Sequence, residues 1–518
     1  MLRTRNIGAT TVVIGLSLLI GCRGPATNNS ATSVAQSRSE AVVQQPAAPA
    51  RSAAPEVVTV GFVEPESVER PTEIPAEVFE PEIPKAKYPI DLPTALQLAE
   101  GGSYQVAFAR AQVRQAWARS DAAGVLWLPN IRVGLNYNKH EGQIQDIVGN
   151  VFPASRDNFW SGLGAGTPGA GSPVFPGISA NFHTADALFE PLAARQFAAA
   201  RRHASQAVLN DTLWRVSLGY LELLRAAEEI AILRTTIGEH RELYDLTKSY
   251  ADSGQGSAAE VDRTLTELRL RENDLLRAEE AYRVASARLV QLVRLNSDVE
   301  LQPIDLTILP LDLVPSDTPV GDLVAQGLTL RPELREARHL TFQAVEKMRR
   351  ERYAILLPSV VLGVSYGGFG GGQGATIANY DERFDADAVV YWQTRNLGFG
   401  DRAARAEAAA IVQQTNFQHF ALMDQVAREV TEAQFQVETR RKQVELLQRT
   451  IESASLSYSR NLERIKQAQG LPIEMLQAIQ ALNASRREYL RVVTDYNAAQ
   501  FTLYRAIGSP GDMQASIH

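Results

Sequence analysis

Two segments of this chain, 229 residues apart, switch from helical to two-residue periodicity at a Leu-Pro pair. The first reads Leu128-Pro129-Asn130-Ile131-Arg132-Val133-Gly134-Leu135-Asn136-Tyr137. The second reads Leu357-Pro358-Ser359-Val360-Val361-Leu362-Gly363-Val364-Ser365-Tyr366, with Pro, Gly and Tyr in register. Proline disfavours helix in the residue before it, and alternation after it is the period of a strand, so each segment predicts a helix feeding a strand. A junction that occurs twice implies a duplicated fold.

The rest of the chain repeats around it. Residues 91–128 predict helix, interrupted near Gly101-Gly102, then a strand at about 131–139. A Gly/Pro/Ser-rich stretch at roughly 141–177 reads as loop, and 178–188 as a second strand. From 192 to 252, Leu209, Leu213, Val216, Tyr220, Leu223, Ala227 and Ile230 recur at steps of four and three, the seam of packed long helices. The turn Asp252-Ser253-Gly254-Gln255-Gly256-Ser257 ends that helix, and a return helix follows to 295. The first repeat is thus 91–295, and a Pro-punctuated linker spans 296–319. The second repeat, 320–508, carries Pro332 at its early break, strands at about 359–367 and 386–395, and helices 401–468 and 471–507. A tail, 509–518, ends the chain. In the second half the offset falls to 214, with Gly256 matching Gly470, Glu260 matching Glu474 and Tyr282 matching Tyr496. The predicted fold class is mainly α with a small β part: helix, strand, loop, strand and a long helical hairpin, twice over.

The amino end reads as an export signal. Arg3 and Arg5 precede an apolar stretch ending Leu19-Ile20-Gly21-Cys22, which resembles a bacterial lipobox whose cysteine becomes the lipidated first residue. Cys22 is the chain's single cysteine, and a free thiol is a liability in an oxidising compartment. The alternative is an ordinary signal peptide with an incidental cysteine. Cleavage before Cys22 removes two arginines and takes the net charge from −7 to −9. Arg23 after the cysteine favours the outer membrane by resemblance to known sorting rules. Residues 23–90, rich in Pro, Ala, Ser and Glu, read as a disordered tether. An acidic chain without a basic patch gives no reason to expect nucleic acid as a partner. After the amino end no run of about 20 apolar residues is available for a transmembrane helix.

The strands carry the membrane argument. Alternation puts Ile131, Val133, Leu135 and Tyr137 on one face and Arg132, Gly134, Asn136 and Asn138 on the other. In the second copy Val360, Leu362, Val364 and Tyr366 oppose Val361, Gly363, Ser365 and Gly367. An apolar face, a small or polar face and a terminal aromatic suit a membrane barrel; a soluble sandwich edge shows the same alternation. Four strands are too few to close a barrel, and open sheet edges are not tolerated in hydrocarbon. Strands that span a membrane would therefore require several chains to share one barrel.

With the duplicated Leu-Pro strand entries, the strand exit Asn396-Leu397-Gly398-Phe399-Gly400 and the hairpin turns Gly254–Glu260 and Gly470–Met475, the chain resembles the TolC-type outer membrane efflux family, in its lipoprotein branch, over about 91–508. The resemblance implies a homotrimer with a twelve-stranded barrel continued by a long α-helical tunnel. It implies a passive exit duct in the outer membrane, docked on a periplasmic adaptor and an inner-membrane pump of the RND or ABC type. It also implies an acidic constriction at the hairpin tips, where Glu260 and Glu474 occupy the matching positions and Gln477 stands where a second acid is often found. The alternative reading of each glutamate is a first-turn residue favoured by the helix dipole. Gly254, Gly256, Gly470 and Pro472 mark the tips that would receive the adaptor, and Arg464 and Lys466 lie close by. The alternative function is a lipid-anchored periplasmic coiled-coil scaffold without a pore.

Motifs for chemistry fail. Gly164-Ala165-Gly166-Thr167-Pro168-Gly169 fits a dinucleotide pattern but lacks the strand-to-helix context. The seven histidines are scattered, a lone cysteine excludes a thiolate zinc site, and no catalytic or cofactor-binding constellation is present.

Overall fold

The computed structural model describes residues 86–166, 172–305, 307–315, 317–373, 377–467 and 469–508. The chain divides into Met1–Glu80 and Pro81–His518, and every described residue lies in the second unit. The signal segment with Cys22, the tether up to residue 85 and the tail 509–518 lie outside the described residues, as does part of the Gly164–Gly169 motif.

Strand β1 (Ala86–Ile90) opens the described chain, so the last residues of the expected tether are a strand. Helices α1 (Leu92–Gly102) and α2 (Tyr104–Gly124) follow. Asp91 caps α1 by accepting the Thr94 N–H at 2.9 Å, satisfying one of the unpaired donors of the first turn. The Thr94 side chain, and then that backbone bond, hold its carboxyl below the usual range. The break falls at Ser103. Strands β2 (Asn130–Ile131), β3 (Val133–Gln145), β4 (Val151–Ala165), β5 (Phe175–Pro176) and β6 (Ile178–His183) lead into α3 (Thr184–Asp252) and α4 (Ala258–Val293). After β7 (Val299–Pro303) the second copy gives α5 (Val320–Leu330), α6 (Pro332–Tyr353), β8 (Ser359–Gln373), β9 (Asp381–Tyr391), α7 (Phe399–Lys466) and α8 (Pro472–Ala506). Pro332 sits at the start of α6, where its missing N–H costs nothing. At 69 residues, α3 extends roughly 100 Å.

Three expectations need correction. The loop expected over 141–177 is a hairpin in its first part: β3 runs on to Gln145 and β4 returns from Val151, ending at Ala165. The strand expected over 178–188 ends at His183, and α3 starts eight residues earlier than expected, passing through Pro191. Likewise the last strand is Asp381–Tyr391 rather than 386–395. The number of strand positions survives. β2 and β3 pair in turn with β6 and β4, and β4 and β6 lie end to end along β8, which pairs with β9. The sheet thus has four positions, all antiparallel. The second and third approach closely at Gly162 and Gly367, where a Cβ on Gly162 would stand 2.6 Å from the Gly367 Cα.

Below the sheet the core runs along the helices. Leu223, Leu289, Val426, Val493 and Phe501 are fully buried in one cluster that also takes in β1, β7 and the inter-repeat linker. β1 and β7 pair in parallel, Ala86 opposite Val299 through Ile90 opposite Pro303. The linker then crosses the helices as a strap. Glu228 accepts the Ile308 N–H at 2.9 Å, Asn497 the Leu311 N–H at 2.8 Å and Gln500 the Val314 N–H at 3.1 Å. Tyr220 donates to Asp305, and Tyr496 to Asp312. Burial and that carboxylate push the Tyr496 hydroxyl up to about 12. Prolines suppress local periodicity here, and side-chain amides and acids supply the missing partners for the backbone.

Between α3 and α6 the His203 and His339 rings stack at 5.3 Å, and His339 Nδ1 lies 2.8 Å from Gln196. Burial, then mutual repulsion and neighbouring arginines, lower the His203 value; burial and Arg338 lower that of His339. A base depressed in the folded state resists protons that the unfolded chain accepts, so stability should fall as pH drops below the ordinary value near 6.5. Thermal unfolding measured between neutral and mildly acidic pH should show this loss. His339→Gln should flatten the profile, and an unchanged slope would place the pH sensitivity elsewhere.

Candidate functional site

The hairpin tips are built by their turns. Asp252 ends α3, Gly254 takes φ +77°, and the Gln255 N–H returns to the Tyr250 carbonyl at 2.9 Å. A Cβ on Gly256 would come 2.9 Å from the Ala251 nitrogen, so this turn closes only with glycine there. Ser257 then caps α4 through the Ala259 N–H. In the second tip the Arg464 carbonyl accepts both the Gln469 and Gly470 N–H groups, at 2.8 and 3.1 Å. Pro472 starts α8.

Glu260 and Glu474 each fall in the first turn of a return helix, as the repeat predicted. They differ electrostatically. Glu474 is paired with Arg464 of its own hairpin at 3.0 Å, whereas no ion pair among the described residues includes Glu260. Gln477 is exposed one turn further on. Lys466 also has a partner, Glu242 of α3 at 2.7 Å. The two cations are therefore half-exposed members of surface ion pairs, worth little individually.

The sequence did not show what ties the two tips together. Tyr250 donates to the Ile465 carbonyl at 2.7 Å. Leu243 of α3 packs with Ile465, Met475, Leu476 and Ile479 in a small separate core. Leu243, Leu246 and Tyr250 follow each other at steps of three and four, so the seam pattern could have placed Tyr250 at a helix interface. The acceptor, 215 residues away, could not have been read.

The sheet provides the other half of the site. On β3 the apolar alternates are the exposed ones: Val133, Leu135 and Tyr137 project outward while Gly134, Asn136 and Asn138 are half-covered. β8 and β9 continue that face through Leu362, Tyr366, Phe384 and Val390. The opposite face carries Gly363, Ser365, Arg383 and Asp385, with Arg383 paired to Asp385 at 2.9 Å. The strand exit into α7 is strained: Asn396, Leu397 and Gly398 all have positive φ. Asp401 caps it by accepting the Arg395 N–H at 2.9 Å. Among the described residues no helix is long and apolar enough to cross a membrane and no three potential metal ligands are gathered.

Comparisons with known proteins agree with this architecture. No curated protein matches the sequence. Residues 95–293 match the family described as outer membrane efflux protein. Among solved structures, the outer-membrane channel OprN is 17% identical, with a TM-score of 0.67 over 81% of this chain and 90% of that one. The CmeC outer membrane channel of Campylobacter jejuni is 14% identical, with a TM-score of 0.68 over 81% and 86%. The outer membrane protein VceC of Vibrio cholerae is 15% identical, with a TM-score of 0.65 over 80% and 96%. The family match thus lies on the first repeat, and the fold shared with these channels continues through the second.

Proposed function

We propose that this protein is a passive exit duct of the outer membrane, the last component of a tripartite efflux or secretion system. The observation that carries the reading is the inverted burial of the strands. In water the apolar alternates of an amphipathic strand turn inward. On β3 they are the exposed set, and the small and polar alternates are half-covered, as on a barrel wall between lipid and an aqueous lumen. Among the described residues, the first and fourth strand positions each leave one edge unpaired within the chain. Because the four alternate in direction, the first strand of one copy can pair antiparallel with the last of another, and three copies close twelve strands. The long hairpins then continue the pore as a helical tunnel into the periplasm. Exposed Phe108, Phe417, Phe420 and Phe435 on α2 and α7 are the faces neighbouring copies would cover.

In this reading Cys22 bears the lipid anchor. The tips at Gly254, Gly256, Gly470 and Pro472 receive a periplasmic adaptor, which links the duct to an inner-membrane pump of the RND or ABC type. Glu260, Glu474 and Gln477 line the periplasmic constriction. Reconstitution of the trimer in planar bilayers tests the duct directly. Discrete conductance steps are expected, and a trimer that conducts nothing would leave the pore-less scaffold as the better account.

The constriction carries its own test. Three Glu260 carboxylates near the axis favour cations, while each Glu474 is already neutralised by Arg464. Glu260→Ala should lower the cation-to-anion permeability ratio about twofold. Removing Arg464 and Glu474 together changes no net charge and should leave the ratio nearly unchanged. Insensitivity to Glu260→Ala would remove the acidic ring.

A further inference from the structure

The second strand position is broken between Ala165 and Ile178. β4 ends at Ala165, β6 resumes at Ile178, and between them β5 pairs back antiparallel on β4, Gly164 opposite Pro176 and Ala165 opposite Phe175. The described part of this insert, Ser172–Gly177, lies against one face at three points. A Cβ on Gly363 would stand 2.8 Å from Pro176 Cγ. The Gly177 N–H donates to Ser365 Oγ at 3.3 Å, and Ser172 Oγ donates to Asp385 at 3.3 Å. Gly363, Ser365 and Asp385 all belong to the alternates opposite Leu362, Tyr366 and Phe384. The insert therefore sits on the face turned away from the exposed apolar one.

The crossing is built for close approach. Gly164 takes φ +111°, and a Cβ there would meet the Phe175 carbonyl at 3.0 Å and Ser365 Oγ at 3.1 Å. A Cβ on Gly177 would overlap Leu163 at 2.5 Å. Pro173 and Pro176 fix their own φ, and the Val174 N–H is bonded to the Gly166 carbonyl at 2.7 Å. Val174 and Phe175 nevertheless remain 59% and 56% exposed. β8 and β9, the strands of the second repeat, run unbroken, so each chain carries one such insert. Gly363 and Ser365 lie four and six residues beyond the start of β8, about 13–20 Å above the helical junction.

We propose that Pro173–Gly177 is a constriction inside the barrel lumen, lined by Val174 and Phe175 from three chains and separate from the periplasmic tips. The proposal rests on the duct reading, which makes the covered face the lumen wall. A twelve-stranded barrel is about 24 Å across at the backbone, so three inserts on its inner wall set the width that cargo must pass.

The test uses the full trimer in planar bilayers. The chain's only natural cysteine is Cys22, so Phe175→Cys introduces one thiol in the sheet. Modification by a bulky methanethiosulfonate should cut conductance about twofold or more, whereas modified Ile131→Cys, on the opposite face, should conduct as before. Val174→Cys reports on the same passage if the Phe175 variant does not assemble, and Phe175→Ala should conduct more than the parent. Full labelling at 174 or 175 without a change in conductance would overturn the lumenal constriction and leave the duct standing. A parent trimer that never conducts would overturn both.

Discussion

On the duct reading, arginine in place of Leu135 is expected to prevent recovery of a heat-stable trimer from the outer membrane. Leu135 lies on β3 and is 74% exposed in the single chain, at a level of the sheet flanked by Val133 and Tyr137 on the same face. If that face met water, an exposed leucine could become arginine at a cost within about 0.5 kcal/mol. If it meets lipid, the same change costs about 2–4 kcal/mol near the bilayer midplane, and a trimer carries it three times. The sheet already holds a guanidinium on its other face, where Arg383 is paired with Asp385, so the objection is to the medium and not to arginine in a strand. Gln143→Arg shares the face of Leu135 but lies beyond the apolar band, and it should be silent. Trimer yield and the temperature at which the trimer dissociates on a gel give the measurement. A Leu135→Arg trimer as abundant and heat-stable as the parent would rule out lipid contact for this face.

The sequence revealed those parts of the fold whose signal is local. Leu128-Pro129 and Leu357-Pro358 do stand between helix and strand, and the hairpin turns fall where glycine and proline placed them. The long helices were legible because their seam repeats for dozens of residues. β4 was not, because a barrel strand needs no continuous apolar run. Its Arg156, Asp157 and Asn158 look like loop, and Pro153 stands inside it. Only pairing with β3 and β8 makes it a strand. The site followed the same division. The repeat put Glu260 and Glu474 at equivalent positions, but it carried no trace of the Arg464 pair that distinguishes them. Nor did it show the bonds joining Tyr250 to Ile465 and Glu242 to Lys466, which link residues more than 200 positions apart. Helix entry and turn chemistry are written in neighbouring residues, whereas electrostatic balance depends on what the completed fold brings together.

Asn497 shows how much of the assembly hangs on one such distant contact. Its side chain is 1% exposed and acts as a strand partner for the linker. Oδ1 accepts the Leu311 N–H at 2.8 Å, and Nδ2 donates to the Leu309 carbonyl at 2.8 Å. Gln500, one turn on, accepts the Val314 N–H and donates to the Tyr496 hydroxyl at 2.9 Å. Asn497→Ala leaves the half-buried Leu311 N–H without its side-chain acceptor, at about 1–3 kcal/mol, and the exposed Leu309 carbonyl open to water. The strap should loosen locally while the helices keep their packing, because the core around Val493 and Phe501 is untouched. Amide exchange at Leu311 should accelerate about 10- to 100-fold, since each 1.4 kcal/mol is a factor of ten. Asn497→Asp keeps the acceptor for Leu311 but turns a carboxylate oxygen toward the Leu309 carbonyl, so it should rescue the mutant only in part. Exchange at Leu311 as slow in Asn497→Ala as in the parent would show that packing of Ile308 and Val314, not this amide, holds the linker that joins the two repeats.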